Sequence, residues 1–268
     1  MSAPRTAKPF WLRRFPPQTR DITLLRPPCL DKSKRFETGA DANAESLRSE
    51  AALKSVGRAF LAQQYLCECR AGDYRCDKVY CPLCGRDFRR WFIAEVLRVL
   101  DQRSRNAHNA TVLLAASGNI DDLNPTEHRD SIRKKLDRAG LGSAHCVGGF
   151  EIVYRARDKC WVLHINLLIV GAAKSHLAKL EAAFATTEFD RPYQCVPLRD
   201  VAKQISYLLK FTTYHRPFLQ TGSKKPPAKP LNGREHVALV NWLARYKFSD
   251  MMFLYGVRRK GDRLVITR

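Results

Sequence analysis

The feature that most constrains this chain is a cluster of cysteines, because five of its nine cysteines fall between Cys67 and Cys84. A disulfide framework spaces its cysteines along a secreted domain, whereas crowding of this kind is typical of a metal site in a reducing compartment. Within the cluster, Cys81-Pro-Leu-Cys84-Gly holds two thiols separated by two residues, with a glycine that permits a tight turn after them. This pattern is typical of one half of a tetrahedral zinc site.

The other half of the zinc site must come from the remaining cysteines of the cluster, so five candidates compete for four positions. We predict that a structural Zn²⁺ is bound by Cys69, Cys76, Cys81 and Cys84, with Cys67 as the alternate ligand. A closed four-cysteine site leaves no coordination position for a substrate, so its role would be to fix the helix that follows against the core. The competing interpretation is a group of buried thiols without a metal.

The charge balance indicates a polyanionic partner. The 268-residue chain has 47 Lys and Arg against 26 Asp and Glu, a formal net charge of +21, which exceeds what solubility requires. Such a surface binds phosphate backbones by releasing counterions, so we predict that the partner is nucleic acid. No apolar run approaches the roughly 18 residues of a membrane span, and the first residues lack the apolar stretch of a secretory signal. We therefore expect a cytoplasmic protein that does not associate with membranes.

Composition and periodicity divide the chain into four segments and predict an α+β fold with one central sheet. The segment Arg86 to Leu100 has the apolar period of an amphipathic helix, and we expect its polar side to contact nucleic acid. That side carries Arg86, Arg90 and Arg98. The predicted segments are a basic N-terminal arm and helix (1–60), the zinc module with the Arg-rich helix (61–105), the core (106–215) and a basic C-terminal extension (216–268).

Two apolar runs on either side of the polar stretch RARDK predict a β-hairpin. In the second run, CWVLHINLLIV, period-two alternation places His164 and Asn166 on one face. A four-residue loop would pair Arg155 with Cys160. The antiparallel register then puts Glu151 directly opposite His164, whereas a slip of one residue would turn Glu151 to the other face.

A carboxylate, an imidazole and an amide on one sheet surface suit Mg²⁺ or Mn²⁺ better than a closed zinc site. We therefore treat Glu151, His164 and Asn166 as candidate metal ligands. The competing interpretation is a hydrogen-bonded histidine packed in a strand, with the asparagine on a solvated edge.

The segment RDVAKQISYLLKFTTYHRP predicts a helix from Asp200 to about Tyr214, with lysines and tyrosines along one side. A tyrosine hydroxyl can attack a phosphodiester if its proton is removed and a cation stabilises the transition state, so Tyr207 and Lys210 form the candidate catalytic pair. The competing interpretation is an exposed stripe without a catalytic role. Such a stripe also suits simple nucleic-acid binding, with Lys203 meeting phosphate and Tyr214 stacking on a base.

The order of these motifs resembles that of the rolling-circle replication initiators of plasmids and phages, which belong to the HUH endonuclease superfamily. The motifs are CPLC, FEIVY, LHINLLIV and SYLLKF, in that order, within roughly residues 65–215. The resemblance implies a central antiparallel sheet with helices, preceded by the cysteine-rich zinc module. It also implies a single-strand nickase in which Tyr207 forms a 5′-phosphotyrosine and leaves a 3′ hydroxyl that primes synthesis. Glu151 and His164 would hold the catalytic Mg²⁺ or Mn²⁺, and Lys210 would orient the site.

One residue departs from the family pattern, because Asn166 stands where the family has the second histidine of its metal pair. Its neutral carbonyl oxygen is acceptable to Mg²⁺ or Mn²⁺ but is a weaker ligand for a transition metal. The alternatives are therefore a catalytically impaired origin-binding or regulatory protein of the same fold, a transposase of the superfamily, or a zinc-containing RNA-binding protein.

The partners implied by the resemblance are DNA, either single-stranded or as an origin hairpin, and a host helicase and polymerase. The chain has no GxxxxGK[ST] phosphate loop of its own, so unwinding would depend on another protein.

Overall fold

The computed structural model describes most of the chain beyond its first segment. The described residues are 39–56, 60–71, 76–100, 107–185, 189–198, 205, 208–211, 214–216, 229–261 and 263–267. The chain forms two compact units. The first extends to Phe92 and also includes Asn232–Lys247, and the second comprises Ile93–Leu231 and Phe248–Arg268. None of the described helices is long and apolar enough to cross a membrane.

The protein is α+β, as predicted, with helices and a mainly antiparallel sheet. The helices are α1 (Gly39–Ser55), α2 (Phe60–Ala71), α3 (Pro82–Leu100), α4 (Pro125–Arg138), α5 (Lys174–Phe184), α6 (Gly233–Ala244) and α7 (Phe248–Met251). The strands are β1 (Ala107–Ser117), β2 (His145–Arg155), β3 (Cys160–Val170), β4 (Tyr193–Pro197), β5 (Tyr214–Arg216), β6 (Lys229–Pro230), β7 (Met252–Tyr255), β8 (Val257–Lys260) and β9 (Arg263–Ile266).

The described part of the first unit is helical, and α1 contacts both α2 and α6. Arg70 of α2 forms an ion pair with Glu50 of α1 and also donates to Ser46 Oγ at 3.0 Å. Helix α6 begins with a capping box, in which the side chains of Asn232 and Glu235 each accept a hydrogen bond from the other's backbone N–H. These polar contacts specify how the helices of this unit start and pair.

The second unit is built on an antiparallel sheet with the strand order β4-β1-β3-β2-β7. Strand β7 pairs with the first half of β2, and the short strand β5 pairs in parallel with its end. Strands β8 and β9 form a separate two-stranded sheet. The order places β3, which carries His164 and Asn166, in the middle of the five antiparallel strands.

Strands β2 and β3 pair along their whole length without a register shift. Arg155 lies opposite Cys160 at the hairpin end, and Glu151 lies opposite His164. The register predicted from the loop length is therefore confirmed.

The two faces of β3 have different surroundings because its side chains alternate. Ile165 is fully buried and lies opposite Phe150 in the ladder, so both side chains are on one face. Helix α4 covers that face, since the Arg129 guanidinium lies 5.9 Å from the centroid of the Phe150 ring. His164 and Asn166 lie on the opposite face.

The C-terminal part of the chain differs from the predicted basic extension, because it contributes to both units. The helix predicted from Arg234 is α6 of the first unit, and β7 is a strand of the sheet. Helix α4 holds β7 in place: a guanidinium nitrogen of Arg133 donates to the Leu254 carbonyl at 3.1 Å. The predicted boundary near residue 105 also differs, since the division between the units falls inside α3.

The helix predicted from Asp200 to Tyr214 agrees with the structure at Ile205, which is helical, but it does not extend through residues 208–211. Residues 208–211 contain a turn in which Leu209 has a φ of +60°, and Tyr214 begins β5. A residue at positive φ cannot continue a right-handed helix, which overrides the helical spacing of the lysines and tyrosines. Lys203 and Tyr207 lie outside the described residues, as does the side chain of Tyr214.

We expect Gly148→Ala to lower the free energy of unfolding by about 1–3 kcal/mol, because overpacking in a central strand displaces the ladder. A Cβ at Gly148 would lie 2.0 Å from the backbone oxygen of Asn166, which cannot move away as a flexible side chain would. Urea denaturation measures the change. Gly142→Ala is the matched control, since a Cβ there meets nothing within 4 Å, and its effect should stay within about 0.5 kcal/mol. Equal stability of the two variants would contradict the prediction.

Candidate functional site

Four buried cysteines converge in the first unit. The sulfur atoms of Cys69, Cys76, Cys81 and Cys84 all lie within 4.8 Å of one another. The Cys84 sulfur is 3.8 Å from that of Cys69 and 3.7 Å from that of Cys76. Thiolates at about 2.3 Å from a tetrahedral Zn²⁺ would be about 3.8 Å apart, so the cluster has the dimensions of a zinc site. The predicted set of four cysteines is confirmed as a cluster, and the alternate, Cys67, is exposed.

Helices α2 and α3 position the four sulfurs. Cys69 lies in the last turn of α2, and its sulfur accepts a hydrogen bond from the backbone N–H of Cys76 at 3.2 Å. Cys81 directly precedes α3, whose first residue is Pro82, and Cys84 lies in the first turn. Proline suits this position because the first helical N–H has no partner within the helix.

The clustered thiols change each other's acidity. A hydrogen bond with the Cys76 thiol lowers the pKa of Cys69, whereas burial raises the pKa of Cys84 well above its ordinary value. Without a cation, burial therefore opposes formation of a thiolate at Cys84. Further thiolates require a compensating positive charge, which a divalent ion supplies. A Zn²⁺ ion with four protein ligands has no open position, so the chemistry of this donor set is structural.

The second candidate site lies on the sheet face opposite α4. Glu151 and His164 face each other across β2 and β3, and Glu151 Oε2 is 3.6 Å from His164 Nε2. Their side chains are 10% and 12% exposed, respectively. The separation is longer than a hydrogen bond. The pair is therefore a nearly enclosed carboxylate and imidazole with a narrow gap between them.

The third predicted ligand, Asn166, has another partner. Its Oδ1 accepts a hydrogen bond from Thr111 Oγ1 at 2.7 Å, and the two residues are opposite each other in the β1–β3 ladder. Asn166 shares the face of Glu151 and His164, but its amide oxygen is directed to β1. In the described part of the chain, the four cysteines are the one group of three or more His, Cys, Asp or Glu residues that could hold a metal ion.

The turn at residues 208–211 lies against the same face. The backbone N–H of Lys210 donates to Glu151 Oε1 at 3.1 Å. Leu209 is fully buried, and a Cβ added at Gly149 would lie 2.2 Å from its Cδ2, so its side chain packs directly on that glycine. Gly149 lies opposite Asn166 in the ladder. Residues 208–210, the described part of the candidate Tyr-x-x-Lys sequence, thus lie next to the Glu–His pair.

The arginines of α3 do not form the exposed basic face that their spacing predicts. Arg90 is buried, and the Arg86 side chain is 12% exposed. The more exposed Arg98 donates to the carboxylate of Glu95 at 2.8 Å and to the carbonyl of Leu264 at 2.5 Å. The prediction of an exposed face is therefore wrong for Arg86 and Arg90. Helical period alone identifies an apolar side but does not show how much of the polar side is also covered.

Several residues that frame the Glu–His pair were missed in the sequence. Gly149 had a signal, since glycine inside a strand marks a close approach of other groups. The position of Leu209 had no signal in the sequence, because the residues around it have helical spacing whereas its backbone has a positive φ. Thr111 also had none, because its bond to Asn166 depends on pairing between strands 55 residues apart in the sequence.

No protein-family model, curated protein or solved structure matches this chain. Its function must therefore be inferred from its own residues.

We expect the purified protein to contain one zinc ion per chain and Cys84→Ser to lose it, because a neutral hydroxyl is a poor substitute for a thiolate. Since metal binding contributes to folding, this variant should also be destabilised by several kcal/mol. Elemental analysis measures the zinc content and thermal unfolding measures the stability. Cys67→Ser is the control, because Cys67 is exposed outside the cluster, and it should keep both properties. A zinc-free wild-type protein that is stable in chelator would contradict the assignment.

Proposed function

We propose that this protein is a DNA-binding replication initiator that nicks one DNA strand through a tyrosine nucleophile and so starts rolling-circle replication. The observation that carries the proposal is the hydrogen bond from the Lys210 N–H to Glu151, which lies opposite His164. A carboxylate and an imidazole thereby share one sheet face with the described turn at residues 208–211, which contains Lys210 of the Tyr-x-x-Lys sequence. The resemblance to HUH endonucleases likewise implies that Glu151, His164 and the Tyr-x-x-Lys sequence form one site.

Glu151 and His164 would hold the divalent ion, Mg²⁺ or Mn²⁺. Adjacent ligands of an octahedral ion, each about 2.1 Å from it, are about 3.0 Å apart. The 3.6 Å between Glu151 Oε2 and His164 Nε2 needs a small side-chain movement to reach that value. When bound, the ion would polarise the scissile phosphate. The Asn166 oxygen accepts a hydrogen bond from Thr111, so Glu151 and His164 are the two residues of the predicted set that would hold the ion.

Tyr207 would be the nucleophile. Its oxygen attacks phosphorus while the bond from phosphorus to the 3′ oxygen breaks, which gives a 5′-phosphotyrosine and, after proton transfer to the leaving oxygen, a 3′ hydroxyl. Tyr207 lies outside the described residues, but the buried residues Leu208 and Leu209 follow it directly. Lys210 would orient the site and oppose the negative charge of the phosphorane-like transition state.

The hydrogen bonds of the site favour a second candidate, a non-catalytic origin-binding or regulatory DNA-binding protein. Asn166 Oδ1 accepts a hydrogen bond from Thr111 Oγ1, and Glu151 Oε1 accepts one from the Lys210 N–H. Both oxygens are therefore already engaged within the protein. Such a protein would retain the cysteine centre and bind DNA without cleaving it. An RNA-binding zinc protein is a third candidate, since a net charge of +21 suits either nucleic acid.

We expect the full-length protein, incubated with Mg²⁺ or Mn²⁺, to form a denaturation-resistant adduct with one single-stranded oligonucleotide. The oligonucleotides should tile both strands of the DNA around its gene. Tyr207→Phe should reduce the adduct at least about 1,000-fold, because the nucleophilic oxygen is missing. His164→Ala should reduce the rate by about 100-fold or more while DNA binding persists, since the phosphate is no longer polarised. Denaturing electrophoresis of the labelled DNA measures both effects.

Tyr154→Phe is the matched control, because this tyrosine of β2 packs against Trp161 with ring centroids 4.9 Å apart and should keep full activity. An equal adduct from Tyr207→Phe would exclude Tyr207 as the nucleophile. If zinc-loaded protein binds one of the oligonucleotides tightly but forms no adduct with either ion, the second candidate is the correct function.

A further inference from the structure

A cleft of about 440 Å³ lies in the second unit between α4 and the strands β7 and β8. This volume falls in the range of ligand sites, roughly 300–1,000 Å³, and is comparable to one nucleotide unit rather than to a duplex. The described residues that line it include Arg133, Asp137, Tyr255, Arg258 and Arg259.

The cleft is positively charged, because three arginines and one carboxylate line it. The carboxylate, Asp137, accepts a hydrogen bond from the Tyr255 hydroxyl at 2.5 Å, which satisfies part of its charge within the protein. The hairpin that forms one side of the cleft continues with Lys260, whose side chain is also exposed. This combination favours an anionic ligand.

Two of the arginines are held in place before any ligand binds. Arg133 donates to the Leu254 carbonyl at 3.1 Å and lies 5.7 Å from the centroid of the Phe253 ring. Arg259 donates through Nε to the Gly261 carbonyl at 3.0 Å. A planar guanidinium that is already oriented loses less side-chain entropy when it binds a phosphate, and its fork matches two phosphate oxygens. Arg258 is exposed at the cleft.

We propose that this cleft binds the phosphate backbone of single-stranded DNA. The inference rests on the proposed function and assigns a DNA-binding surface to the proposed initiator. Arg86 and Arg90 of α3 were expected to contact nucleic acid but are largely buried, so α3 does not provide the phosphate contacts that its sequence predicts. The cleft provides clustered, oriented guanidinium groups. A single strand can place one nucleotide in a space of this size, with phosphates against the arginines.

We expect Arg258→Ala to weaken binding of the full-length protein to labelled oligo(dT) about fivefold at 0.1 M salt, and to reduce the slope of log affinity against log salt by about 0.7. The double variant Arg133→Ala/Arg258→Ala should weaken binding about 25-fold and reduce the slope by about 1.4. Fluorescence anisotropy across a salt series measures both quantities. Because Arg133 also supports β7, thermal unfolding checks the double variant, and Arg258→Glu replaces it if it is unfolded.

The matched control is Arg157→Ala/Arg191→Ala, which removes two exposed arginines from other surfaces of the same unit. Its effect should be small, because charges beyond about 10 Å are screened at 0.1 M salt. Equal loss in the control and cleft variants, or no change in the cleft variants, would overturn the inference. Tighter binding to matched single-stranded RNA with the same dependence on Arg258 would overturn the DNA assignment.

The adduct assay separates this inference from the proposed function. If wild-type protein forms the Tyr207 adduct while the cleft variants bind oligo(dT) normally, the cleft inference is wrong and the nickase proposal stands. If binding depends on the cleft but no adduct forms with any oligonucleotide, the binding surface stands and the nickase proposal is wrong.

Discussion

Backbone pairing between β2 and β3 is the interaction on which the rest of the second unit depends. The ladder fixes Glu151 opposite His164, and it also fixes which side chains face α4. Because side chains alternate along a strand, a shift of one residue would exchange the buried and polar sets of β3. The fully buried Ile165 makes that shift costly, since it would leave the core as His164 entered it. The apolar face of the hairpin therefore also determines the geometry of its polar face.

The cysteine cluster has a comparable role in the first unit. Its sulfurs come from the end of α2, a connecting segment and the start of α3, so bringing them together fixes the path of the chain between the two helices. Elsewhere in this unit, much of the buried face of α1 consists of small residues, which contribute little apolar area. A bound metal would supply stabilisation that such packing does not provide.

The sequence was most informative where a pattern is local. Cysteine spacing identified the four clustered thiols, and loop length with alternation identified the hairpin register. It was least informative where distant segments decide the structure. Helical spacing around Lys210 predicted a helix, but packing of Leu209 on Gly149 and the bond to Glu151 stabilise a turn instead. Likewise, β7 is too short to be recognised alone and is defined by its pairing with β2 and its contacts with α4.

The path of the chain through the two units has a consequence for biosynthesis. Residues Asn232–Lys247 complete the first unit, and residues from Phe248 onwards complete the second. On the ribosome, the nascent chain therefore cannot finish either unit until residues beyond Leu231 have emerged, although the cysteines and the β2–β3 hairpin are available much earlier. A premature stop after residue 231 would leave both units incomplete, exposing the edge of β2 that β7 covers. An uncovered strand edge of this kind promotes aggregation, so truncated products would aggregate more readily than the protein with both units complete.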